Sequence, residues 1–155
     1  MEHTSIIARA CGLIIATGTL LTAAQAQGMQ PVGPPEAVTA AFNKAFPNAM
    51  DVEWKQRGTQ YKVEFETGVF FTDHEAWYDA TGKLLRHEEE ISVSDLPAAV
   101  TTAVRTEFPG YTIDDAERIT VDGVVTYVVE LELKGQPDWK VAYDAAGKQV
   151  QKTQD

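Results

Sequence analysis

Residues 35 to 91 and 92 to 152 carry the same landmarks in the same order, so whatever this chain folds into is built twice. Pro35-Glu36-Ala37-Val38 is answered by Pro97-Ala98-Ala99-Val100, and Phe46-Pro47 by Phe108-Pro109, both about 62 residues on. Further along, Tyr61-Lys62-Val63-Glu64-Phe65-Glu66 aligns with Tyr127-Val128-Val129-Glu130-Leu131-Glu132. Tyr78-Asp79-Ala80-Thr81-Gly82-Lys83 then aligns with Tyr143-Asp144-Ala145-Ala146-Gly147-Lys148.

Each copy opens on a helical period. Val38, Ala41, Phe42, Ala45 and Phe46 recur at the spacing of one helix face, as do Val100, Ala103, Val104 and Phe108. Proline is tolerated at the start, where its missing N–H has no helical partner, and Ser94 and Asp95 are placed to cap the second helix. Pro47 and Pro109 end the helices by disfavouring helical geometry in the phenylalanine before them. The period then changes to two: Tyr61, Val63 and Phe65 alternate with Lys62, Glu64 and Glu66, the pattern of half-buried antiparallel strands. Arg57-Gly58, Asp122-Gly123 and the Asp-Ala-x-Gly-Lys segments supply turn chemistry. The predicted fold is α+β: two tandem helix-plus-four-strand repeats, with an antiparallel sheet and helices packed on one face.

Residues 1 to 26 read as a secretory signal, with Arg9, an uncharged apolar run from Ala10 to Ala24, and a small-x-small site at Ala24-Gln25-Ala26. The run is short for a membrane span, so none is expected once the signal is removed. Residues 27 to 34 read as a linker and 153 to 155 as a tail. The one cysteine, Cys11, lies in the signal, which leaves an exported chain without thiols or disulfides. A net charge of −10 opposes binding to phosphate backbones, so nucleic acid is not an expected partner.

The order Pro-x-x-Val, Phe-Pro, Tyr-x-Val-Glu-Phe/Leu-Glu and Tyr-Asp-Ala-x-Gly-Lys, met twice behind a signal peptide, resembles the PepSY-like family described as β-lactamase-inhibitor-like. The resemblance covers about residues 35 to 152. It implies a periplasmic or secreted protein with helices on one side of a sheet and the other face open, suited to binding or inhibition rather than catalysis. It brings no cofactor, and no functional residues to carry over.

No pattern of catalytic chemistry stands out. His74 and His87 are the histidines beyond the signal, and His87, flanked by Arg86, Glu88, Glu89 and Glu90, reads as a solvated strand residue without zinc-ligand spacing. Ser92 and Ser94 precede a helix and lack a nucleophile elbow, which disfavours a serine hydrolase. Glu64, Glu66, Glu130 and Glu132 fall on the polar phase of their strands and predict an exposed acidic sheet face. No calcium-loop pattern accompanies them.

The copies part company between their second and third strands. The first reads Gly68-Val69-Phe70-Phe71-Thr72-Asp73-His74-Glu75, the second Gly135-Gln136-Pro137-Asp138-Trp139-Lys140. Exposed, Phe70 and Phe71 would form an apolar recognition patch beside Asp73 and His74. The other outcome, towards which the balance tips, buries one phenylalanine in the seam between repeats or extends a strand. Trp54 and Trp139 share the apolar phase of their strands, whereas Trp77 is out of phase with Tyr78 and points to the open face. Phe70, Phe71, Asp73, His74 and Trp77 are therefore the candidate partner-binding residues, in a loop taken as 68 to 77. The function expected is a non-enzymatic module that recognises a protein or cell-envelope component. A small-ligand or cation-binding domain and a purely structural domain are the alternatives.

Overall fold

The computed structural model describes residues 33–154. The signal peptide, Cys11, and all but the last two residues of the linker lie outside them. Two helices, α1 (Glu36–Ala45) and α2 (Ala98–Glu107), accompany eight strands. These are β1 (Met50–Arg57), β2 (Gln60–Thr67), β3 (Thr72–Tyr78), β4 (Leu84–Glu90), β5 (Thr112–Val121), β6 (Val124–Glu132), β7 (Trp139–Asp144) and β8 (Gln149–Gln154). All pair antiparallel in sequential order, forming one eight-stranded sheet. β8 runs into the segment read as a tail.

Both helices start directly after a proline and stop at the expected phenylalanine. The N–H of Phe46 donates to the carbonyl of Phe42, and that of Phe108 to Val104, closing each last turn. Neither helix has a side-chain cap, which corrects the expectation for Ser94 and Asp95. Those residues belong instead to a 3-10 turn, Val93–Asp95, in which the Ser92 hydroxyl accepts from the Ser94 N–H. Pro97 occupies the cap position and has no hydroxyl or carboxylate to offer.

The alternation read from the sequence sorts side chains onto two faces. Val38 and Phe42 of α1 pack on Val63, Phe65, Ala76 and Tyr78. Val100 and Val104 of α2 pack, with Leu96 and Phe108, on Ala116, Val129, Leu131, Val141 and Tyr143. Register places both sets on the same face, because Phe65 lies opposite His74, His74 opposite Glu89, Glu89 opposite Arg118, Arg118 opposite Tyr127, and Tyr127 opposite Tyr143. Fully burying side chains of this kind stabilises by about 1.5–3 kcal/mol each, so the helix face carries the hydrophobic stabilisation of the fold. Among the described residues no helix covers the other face.

The turns after β3 and β7 are built alike. The Asp79 carboxylate accepts from the N–H groups of Thr81 and Lys83, and that of Asp144 from Ala146 and Lys148. An aspartate that folds back on its own backbone replaces the missing ladder bonds of a tight turn.

Candidate functional site

The β2–β3 connection is shorter than the sequence reading allowed. Thr67 pairs with Thr72, so only residues 68 to 71 form the loop, and Asp73, His74 and Trp77 belong to β3. At its tip Val69 is 82% exposed, Phe70 90% and Phe71 61%. Neither phenylalanine is buried in a seam between the halves and neither extends a strand, which corrects the expectation of one or the other, since β2 ends at Thr67 and β3 begins at Thr72. Phe71 also has φ +55°, in the left-handed region that a bulky side chain occupies only against steric resistance.

The five candidate residues do not form one cluster. Phe70 and Phe71 stand at the tip, while Asp73 and Trp77 lie on the open face. His74 alternates to the helix face, where it is only 7% exposed, and it drops out of the exposed patch. The side-chain period of two separates neighbours that the sequence places together.

Cross-strand register gathers carboxylates on the open face. Glu66 faces Asp73, Glu64 faces Glu75, and Glu90 faces Glu117. Nearest β1, cations meet them: Glu64 accepts from Lys55 at 2.7 Å and pairs with Lys62 at 2.9 Å, and Lys62 reaches Glu75 at 2.7 Å. Lys55 first, then Lys62, hold the Glu64 carboxyl down to about 2. The Lys62 ammonium also lies 5.5 Å from the centre of the Trp77 ring, whose Nε1 is shielded from solvent and meets no acceptor among the described residues. Further along, a trough of 160 Å³ is lined chiefly by Asp73, Glu75, Glu88, Glu90, Asp115 and Glu117. Partial burial, then the charges of Asp115 and Asp73, push the Glu90 carboxyl above its usual range. Among the described residues, no group of three or more His, Cys, Asp or Glu side chains is arranged to hold a metal ion. Towards β5–β8 the face turns mixed, with Ile119, Val121, Val128, Ala142 and Val150 bordering a groove that Arg86, Glu88, Glu117 and Lys140 also line.

Sequence reasoning missed the histidine pair. His87 is not a solvated strand residue: it packs against Phe46, ring centres 5.0 Å apart, and its Nε2 lies 3.2 Å from Nδ1 of His74. The other His74 nitrogen, Nε2, is 2.7 Å from the Thr67 hydroxyl, and Phe65 stacks on the same ring. Burial pushes both imidazoles below their ordinary value. The usable signal was phase: Ala76 and His87 are directly opposed, so His87 shares the face of a core alanine despite its charged neighbours.

The sequence profile of the β-lactamase-inhibitor-like, PepSY-like family matches residues 32–85 and 59–151, together most of the chain. The chain belongs to this PepSY-like family. Among solved structures, the PepSY-like chain is similar to a BLIP-like protein from Bacteroides fragilis, with a TM-score of 0.67 and 24% identity over 79% of this chain and 87% of that one. It is also similar to DUF2874 family proteins from Bacteroides uniformis (0.70, 19%, 79% and 90%) and Bacteroides ovatus (0.69, 17%, 79% and 88%). At these identities the likeness speaks for the fold. Comparison with curated proteins finds no match.

Proposed function

We propose that this PepSY-like chain is an exported, non-enzymatic binding protein that presents the β2–β3 tip, with the acidic open face at its root, to a protein partner. The observation that carries the reading is Val69-Phe70-Phe71: three consecutive exposed apolar residues, the last with a positive φ. Exposed aromatics contribute nothing to the core, and left-handed backbone at a bulky residue costs stability, so neither feature serves the fold. Aromatic anchors with a charged surround are what a recognition surface requires. The complementary partner surface is an apolar recess with a basic rim, and association with it weakens as salt rises. The inhibitor-like description of the family accords with this mode. So do the repeated landmarks, which we read as two copies of one scaffold unit, with the tip confined to the first. The secretory pattern of residues 1 to 26 supports the periplasm or the exterior as the site of action.

The test is recovery of partners from an envelope extract by the native chain and by Phe70→Ser/Phe71→Ser, after circular dichroism shows that both fold. A protein held by the native chain and lost by the variant supports the reading; equal recovery of every protein sinks it. A purified β-lactamase, titrated with the chain while its activity is followed, probes the inhibitor-like mode directly.

A second reading, cation or small-ligand binding, draws on Glu66, Asp73, Glu90 and Asp115, which have no ion-pair partner among the described residues. A ligand of the native state raises the melting temperature. An unchanged midpoint in calcium removes the cation form of this reading.

A further inference from the structure

The halves differ at a second place, beneath the hairpin. By register His74 corresponds to Trp139, since Phe65 faces the one and Leu131 the other. His87 corresponds likewise to Lys152, since Ala76 and Val141 face them. In the second half the Lys152 ammonium sits 3.7 Å from the centre of the Trp139 ring and 4.6 Å from that of Phe108, a permanent cation held between two aromatic faces. In the first half the same three positions hold Phe46, His74 and His87, where a pair of imidazoles replaces the fixed charge.

We propose that the His74–His87 pair is a pH-dependent latch on the β2–β3 hairpin, closed while the pair holds at most one added proton and opened when both rings are charged. The chain of contacts runs from His87 Nε2 to His74 Nδ1, and from His74 Nε2 to the hydroxyl of Thr67. Thr67 is the last residue of β2 and faces Thr72 across the mouth of the loop bearing Phe70 and Phe71. In the neutral pair one ring proton serves the His–His contact. A first added proton can be held, because a cationic His74 still donates at both nitrogens, to His87 and to Thr67. A second sets N–H against N–H across 3.2 Å, and the contact must break.

The surroundings resist charging. Phe65 of β2 and Phe46 after α1 cover the rings and offer no counter-charge. From β4, Glu89 lies opposite His74 and favours the cation, but it is engaged by Arg118 of β5, which disfavours it. Thr120 of β5, opposite His87, is uncharged. Asp73 and Glu88, neighbours on the strands with side chains on the other face, favour the cation weakly. Burial outweighs these charges, so the latch stays closed at neutral pH and opens in acid, below the ordinary histidine value of 6.5.

The latch bears on the binding reading through the hairpin it holds, and its test needs no partner. Amide exchange of residues 67 to 72 and the imidazole resonances are followed by NMR on the full chain from about pH 7.5 to about pH 5, with exchange corrected for its intrinsic pH dependence. Protection of these amides should fall about tenfold for each pH unit below the lowered imidazole values, while the β6–β7 ladder stays protected. The double variant His74→Trp/His87→Lys carries the side chains of the second half and should lose this pH response. Should it fail to fold, the native imidazole titration still decides. Two independent titrations near the ordinary value, hairpin protection unchanged as the rings charge, or an equal acid loss in the folded double variant would each overturn the latch. A pH-insensitive hairpin that still binds leaves the binding reading standing, whereas a pH-gated hairpin that captures nothing overturns only that reading.

Discussion

Gly82 lies so close to α1 that a Cβ built on it would fall 2.5 Å from the carbonyl oxygen of Ala37. The second half repeats the contact, with Gly147 at the same 2.5 Å from the oxygen of Ala99. Both glycines also have positive φ, +87° and +80°. Each half thus seats its hairpin turn against its helix backbone at a spacing no side chain permits. Gly82→Ala and Gly147→Ala should each cost about 1–3 kcal/mol, lowering the melting temperature by several degrees. Gly58→Ala, left-handed but in open space, isolates the backbone contribution and should cost less. Equal losses at all three positions would remove the helix contact from the account.

Tyr78 and Tyr143 occupy equivalent buried positions but differ at the hydroxyl. That of Tyr143 donates to Glu107 at 3.0 Å, whereas that of Tyr78 meets no partner among the described residues, and burial pushes it up to about 12. A buried hydroxyl bonded to a charged group contributes about 1.5–3 kcal/mol, while an unpaired one is a net cost. Tyr143→Phe should therefore destabilise in urea unfolding, and Tyr78→Phe should be neutral or stabilising. The reverse order would contradict the geometry.

Two sets of groups oppose one another as pH falls. His74 and His87 have lowered values, so the unfolded chain binds protons first; their contribution is complete above 6.5 and lost as pH falls through and below it. Glu90 is raised, so the folded chain binds its proton first, and repulsion with Asp115 and Asp73 is relieved in mild acid. Glu90→Gln should therefore stabilise at neutral pH by up to about 0.5 kcal/mol after solvent screening, and the gain should shrink in high salt. Urea midpoints of both chains across pH, at low and high salt, check this. A variant less stable than the native chain at neutral pH would show that Glu90 carries an attraction instead.

Periodicity was enough to place the helices and most strands, because Val38 and Phe42, Val63 and Phe65, and Val141 and Tyr143 recur at intervals that bring each pair to one face of its element. Local chemistry also exposed the turns at Asp79 and Asp144. Depth was harder to read. His87 stands in a run of charge and is half buried, because its face is set by the strand opposite rather than by its neighbours. The approach of Gly82 to Ala37 and the meeting of His74 with His87 are tertiary contacts that leave no local mark. Of the candidate residues, the exposure of the tip accords with the difference between the halves, whereas the loop stops short of β3, where alternation divides Asp73 from His74.

Phe71 offers the sharpest separation of folding from function. Its φ of +55° is one that glycine adopts freely and a bulky side chain does not, and at 61% exposure its ring gains little burial in return. Phe71→Gly should relieve backbone strain of about 1 kcal/mol, offset in part by the greater entropy of glycine in the unfolded chain. The fold should emerge as stable as before or slightly more so. If the aromatic tip is a recognition element, the same change should weaken capture of a partner about tenfold or more, as loss of an aromatic anchor does elsewhere. Chemical denaturation and a binding titration on the same samples test both halves of the argument. A chain destabilised by more than about 1 kcal/mol would show that Phe71 supports the hairpin itself, and the strain would then belong to the fold rather than to recognition.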